Sequence, residues 1–282
     1  MDIQWYPGHM ARARKLVQEN LKLVDVVIEL LDARLPESSR NPMINELVGA
    51  KPRLVVLNKF DLADEEATAC WIKWFADHGL PALAVDAAHN RGVVEVPAAV
   101  QRLAAERIAA LVASGRRPRP PRCMVVGIPN VGKSMLINAL TGRRATRTGN
   151  RPGVTRGRQW VRLARGVELL DMPGVLWPKF ADREVAVKLA VTGAIRDEVY
   201  APEEAAVWLA DWLLQHQPGA LIGRYGLEKI DHAGGILEQI AVKRGLLGAG
   251  GRPDGLKAAM HLLKEFREGK LGRFTLDLPA DR

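Results

Sequence analysis

The sequence predicts an α/β protein: a mostly parallel sheet between helices, followed by an all-helical C-terminal segment. Three observations carry that prediction. Short apolar runs at 24–31, 54–57 and 123–126 each end in a polar or glycine-bearing loop, as strands buried on both faces do. Helical stretches at about 65–78 and 94–113 separate those runs, which is the alternation of β-α-β units. Beyond residue 180 the period turns helical, with Ala205, Trp208, Leu209, Trp212 and Leu213 on one stripe and Leu256, Ala259, Met260, Leu263 and Phe266 on another, both expected to face a core.

In chain order, Trp5-Tyr6-Pro7-Gly8-His9-Met10 suggests a turn leading into a basic helix with Arg12, Arg14, Lys15 and Lys22. The run 24–31 ends in Asp32-Ala33-Arg34, and Pro36 and Pro42 bracket a loop. The run 54–57 leads directly into Asn58-Lys59-Phe60-Asp61, and a strand at 81–85 into Asp86-Ala87-Ala88. Residues 116–122 form a proline-stiffened basic linker, read as a connector ahead of a nucleic-acid contact. The run 123–126 opens Gly127-Ile128-Pro129-Asn130-Val131-Gly132-Lys133-Ser134, and a helix follows until Gly142. Pro152-Gly153-Val154-Thr155 lies in an arginine-rich stretch, and strands at 159–163 and 167–170 precede Asp171-Met172-Pro173-Gly174.

The segment 127–134 is a complete G-x-x-x-x-G-K-S between strand and helix, the context a phosphate-binding loop requires. Its glycines let backbone N–H groups curl toward phosphate oxygens, and the helix N-terminus adds partial positive charge. Lys133 is expected to reach the β- and γ-phosphates, and the Ser134 hydroxyl to ligate Mg²⁺. Asn-Lys-x-Asp at a strand's carboxyl end reads guanine. Asp61 can accept from both N1–H and the exocyclic amine, a pattern adenine cannot offer. Asn58 would tie that loop to the phosphate loop, the Lys59 stem would lie over the base, and Ala87 would offer its N–H to guanine O6. Residues assigned to the nucleotide are Asn58, Lys59, Phe60, Asp61, Asp86, Ala87, Asn130, Val131, Gly132, Lys133, Ser134, Met135 and Gly174. Thr155 is expected on Mg²⁺ while the γ-phosphate is present, Asp171 on Mg²⁺ through water, and the Gly174 N–H on the γ-phosphate.

The Asn-Lys-x-Asp element precedes the phosphate loop, and the Thr155 and Asp171 segments come last. The motif order is that of a circular permutation, with the linker near 114–122 joining the usual termini. Residues 1–178 are therefore expected to form a circularly permuted P-loop GTPase domain and 179–282 an all-helical domain. Among 282 residues the net charge is +9, which points to a polyanionic partner. The two cysteines, Cys70 and Cys123, are isolated, so neither a disulfide framework nor a zinc site has support. With no long apolar run and no signal-peptide core, a cytoplasmic protein away from membranes is expected.

These motifs, together with Asp32-Ala33-Arg34-x-Pro36 and Thr192-Gly193-Ala194-Ile195, closely resemble the circularly permuted GTPases of ribosome biogenesis. The resemblance implies GTP as substrate, Mg²⁺ as cofactor, and a role in late assembly of the large ribosomal subunit through rRNA contacts; a monomer released on hydrolysis is expected. Lys243, Arg244, Arg252, Lys257, Lys264, Arg267, Lys270 and Arg273 are candidates to neutralise RNA phosphates. Val175 stands where many GTPases place the glutamine that orients water. His9, which the resemblance brings near the nucleotide, either does that work or fixes the N-terminal turn. Asn130 resembles the asparagine of potassium-activated GTPases, which makes K⁺ a second candidate cation. A nucleotide-gated RNA-binding module with incidental hydrolysis is the alternative reading.

Overall fold

The computed structural model describes residues 7–142, 159–171, 182–227 and 232–279. They divide into two compact units, one drawn from 7–171 together with 275–279, the other from 182–274.

The first unit is built on a six-stranded sheet of order β3-β2-β1-β4-β6-β5, with β1 at Val26–Asp32, β2 at Arg53–Asn58, β3 at Ala82–Val85, β4 at Arg122–Val126, β5 at Gln159–Arg162 and β6 at Glu168–Asp171. All neighbours are parallel except β5, which runs antiparallel to β6. β1 is buried along its whole length, which is why its sequence reads as an apolar run. The exception inside it is Glu29, buried yet paired with Arg53 from β2 at 3.0 Å. Burial pushes the Glu29 carboxyl up, and Arg53 and Arg40 oppose that shift.

Helices α1 (Pro7–Leu21), α2 (Pro42–Val48), α3 (Glu65–Asp77), α4 (Glu95–Ala113) and α5 (Lys133–Thr141) belong to this unit. Two of them begin where the sequence suggested a turn or a loop. Pro7 opens α1 and Pro42 opens α2, because proline suits the first helical turn, where its missing N–H costs nothing. Asn41 caps α2 by accepting from the Met43 N–H, and Asp64 caps α3 by accepting from the Ala67 N–H. Val17, Leu21, Val24, Ile44 and Met124 share one cluster, and on the same face of the sheet Trp71 and Phe75 of α3 pack on Leu31, Val55 and Leu57.

The second unit holds α6 (Arg183–Val191), α7 (Pro202–His216), α8 (Pro218–Tyr225), α9 (Ala233–Lys243) and α10 (Gly255–Arg267). Its core is narrower than the expected stripes. On α7 the buried residues are Ala205, Ala206, Leu209, Ala210 and Leu213, with Trp208 and Trp212 only half-buried at the flank. On α10 Leu256 and Met260 are exposed, and Ala258 and Leu262 take their place in the core. Small alanines at the contact line let α7, α9 and α10 approach closely, so the buried face turns toward them. Arg267 is likewise not a surface cation. Its Nε donates to Val191 O at 3.0 Å and its guanidinium pairs with Asp197 at 2.9 Å, closing the C-terminal end of α6.

Candidate guanine-nucleotide site

Parallel pairing brings four strand ends to one edge of the sheet. Asp32 is in register with Asn58, and Asn58 with Val85. Beside them β4 delivers the phosphate loop. There Gly127 packs so closely that a Cβ would meet Leu30 O at 2.5 Å. At Gly132, φ is +102° and a Cβ would meet Asn58 Nδ2 at 2.2 Å. Only glycine fits either position. The donor set suits a phosphate with its counter-cation: no side chain caps the N-terminus of α5, whose first residues are Lys133 and Ser134.

Asn58 joins the parts. Its Nδ2 donates to Val131 O at 2.8 Å, and its Oδ1 accepts from the Ala87 N–H at 3.1 Å. One buried amide thus holds the phosphate loop and the β3 loop on either side of itself. The Ala87 N–H assigned to guanine O6 is engaged with Asn58 in this arrangement. Lys59, left-handed at φ 61°, donates from Nζ to Asp32 Oδ2 and to Asn130 O, each at 3.0 Å. Asn130 is itself left-handed at φ 55°, a conformation asparagine tolerates better than most residues.

Lys133 folds over the loop, donating to Gly127 O at 2.9 Å and Ile128 O at 2.6 Å. Burial lowers its ammonium to about 8, so a neighbouring anion would restore the charge at higher pH. Asp32 shows the opposite balance. Burial alone would raise its carboxyl, but the Arg34 and Lys59 charges hold it well below the usual carboxylate range. Arg34 grips it with two bonds, Nε to Oδ1 at 2.9 Å and Nη2 to Oδ2 at 2.7 Å.

Asp86 is a turn builder in this fold. Its Oδ1 accepts from the Ala88 and His89 N–H groups at 3.0 Å, and its Oδ2 lies 2.7 Å from His89 Nδ1. His89 was not singled out by the sequence, although Asp-x-x-His is an Asx-turn spacing. Ligand atoms of Asp61, Asp86 and His89 lie within 4.8 Å of one another. Phe60 lies half-buried against the Trp71 and Phe75 cluster, Val131 is buried, and Met135 is exposed. His9 lies on α1 and Asp171 ends β6. Thr155 and Gly174 fall outside the described residues.

Known proteins place this geometry. A model for a 50S ribosome-binding GTPase matches residues 122–213. Ribosome biogenesis GTPase A of Bacillus cereus is 48% identical over 282 residues, covering 100% of this chain and 95% of that one. The chain belongs to the ribosome biogenesis GTPase A family. Family membership makes it a GTP hydrolase of ribosome biogenesis with GTP as its substrate. Mitochondrial ribosome-associated GTPase 1 of Bos taurus is also similar, 37% identical over 97% of this chain and 88% of its own length. Among solved structures, GNP-bound YlqF from T. maritima is similar at a TM-score of 0.65 and 28% identity, covering 96% of this chain and 100% of that one. The fold is accordingly the circularly permuted GTPase fold of this family.

Proposed function

We propose that this GTPase is an assembly factor of the large ribosomal subunit, binding its rRNA in the GTP state as a cytoplasmic monomer and leaving after hydrolysis. The observation that carries the reading is the Asn58 bridge, which joins a guanine-reading loop to a phosphate loop in a family named for ribosome biogenesis. Exposed Lys243, Arg244, Arg252, Lys257, Lys264 and Lys270 support an RNA-facing helical unit. Among the described residues no helix is long and apolar enough to cross a membrane.

In this reading Asp61 selects guanine, Lys133 binds the β- and γ-phosphates, and backbone N–H groups from Asn130 to Met135 hold their oxygens. Ser134 and Thr155, with Asp171 through water, would hold Mg²⁺, which supplies charge neutralisation for phosphoryl transfer. Gly174 N–H contacts the γ-phosphate, His9 orients the attacking water, and the Asn130 side chain takes K⁺.

GTP turnover measured with and without large subunits, in K⁺ and in Na⁺, tests this. Stimulation by large subunits, stronger in K⁺ and reduced in His9→Ala with GTP affinity unchanged, is the expected result. Binding without stimulation would favour the nucleotide-gated RNA-binding module. Equal rates in K⁺ and Na⁺ would remove the K⁺ assignment, and unchanged turnover in His9→Ala would remove that of His9.

A further inference from the structure

The final described residues, 275–279, belong to the nucleotide-binding unit. Asp277 is buried, and its carboxylate is filled by the loop that follows β1. The N–H groups of Glu37 and Ser38 donate to Oδ2 at 3.0 and 2.6 Å, and Ser38 Oγ donates to Oδ1 at 2.8 Å. The Leu276 N–H donates to Arg34 O at 2.8 Å. On the far side of the tail, Trp71 Nε1 donates to Asp277 O at 2.9 Å and the Asp64 N–H to Thr275 Oγ1 at 3.2 Å.

The loop held this way is the one that carries Arg34. Ser39 closes its other end, accepting from the Asp32 N–H at 3.1 Å and donating to Leu35 O at 2.5 Å. Arg34 then grips Asp32, Asp32 holds the Lys59 ammonium, and Lys59 donates to Asn130 O of the phosphate loop. Both carboxylates in this series are buried, so the bonds of Ser38 to Asp277 and of Arg34 to Asp32 are little softened by water.

We infer that Asp277 is a positioning residue for guanine-nucleotide binding, acting through the 33–39 loop, Arg34 and Asp32 on Lys59 and the phosphate loop.

The experiment measures GDP and GTP affinity of the full chain by fluorescent-nucleotide titration, alongside melting temperature. In Asp277→Asn an amide N–H₂ replaces one carboxylate oxygen and opposes the N–H groups it faced. The expected result is binding weaker by about tenfold, the loss of one charge-assisted hydrogen bond. Trp71→Phe removes the bond on the far side of the tail; it should lower the melting temperature and leave affinity unchanged. Wild-type affinity in Asp277→Asn, or equal affinity losses in both variants at equal loss of melting temperature, would overturn the inference. Should Asp277→Asn fail to fold, Ser38→Ala, which removes only the hydroxyl bond to Oδ1, must still weaken binding, and unchanged affinity there overturns it too.

Discussion

Two aspartates flank β1, one before its amino end and one at its carboxyl end, and arginines hold both. Asp25 accepts from Arg119 at 2.7 and 2.8 Å, from Arg107 Nε at 3.0 Å and from the Arg122 N–H at 2.9 Å. Asp32 accepts from Arg34 and Lys59. Burial would raise both carboxyls and the cations lower both on balance. Their partners differ in setting. Side chains around Asp25 are 31% and 47% exposed at Arg119 and Arg107, whereas Arg34 is 2% exposed. The amino-end cluster fastens the basic linker of the permuted chain to the sheet through Arg119, and Arg122 pairs with Glu168. At the carboxyl end the same chemistry is buried and leads through Lys59 into the phosphate loop. A charge pair half in water serves as a fastening, while a buried one can set the geometry of a ligand site.

Substitutions at the two ends should therefore separate affinity from stability. The largest effect is expected for Lys133→Ala, which removes the phosphate-facing ammonium. GTP affinity should fall about 100-fold, read by nucleotide titration, with the melting temperature little changed because a buried cation is also lost. Asp25→Asn should do the reverse, lowering stability by about 2 kcal/mol in denaturant titration with nucleotide affinity unchanged. A drop in affinity there would mean that the two ends are coupled through β1.

pH sharpens the contrast further. The Lys133 ammonium, lowered by burial to about 8, is charged below that pH and neutral above it in the nucleotide-free protein. Bound phosphates favour the charged form, so affinity should be constant below pH 8 and fall by up to about tenfold per pH unit above it. Calorimetry in buffers of different ionisation enthalpy should register proton uptake on binding at pH 9. For folding the sign is opposite: a lysine depressed in the native state makes the nucleotide-free protein gain stability as pH rises from 8 toward the ordinary lysine value.

Much of the site was legible in the chain because it is built from local backbone rules. A strand, two glycines that admit no Cβ, and a helix start can be read at 123–134, and Asn58-Lys59-Phe60-Asp61 at the end of β2. Helix faces were less legible. The Trp208 and Trp212 stripe looked like core, but the buried line of α7 is Ala205, Ala206, Leu209, Ala210 and Leu213, with both tryptophans half-buried beside it. Charged residues were harder still. Arg267 looked like an RNA contact and is a clamp on α6, while Glu29 lies unseen within an apolar run.

The sequence by itself determined the motif order, the permutation, the parallel strands and the chemistry of the phosphate and guanine loops, since each depends on neighbours a few residues away. Only the tertiary structure decided that Asn58 also accepts from the Ala87 N–H, that Asp86 builds a turn with His89, and that Asp277 returns across 239 residues to hold Ser38. Such contacts leave no periodicity to read. They exist because a parallel sheet gathers distant strand ends at one edge, where buried polar groups must find partners wherever the fold supplies them.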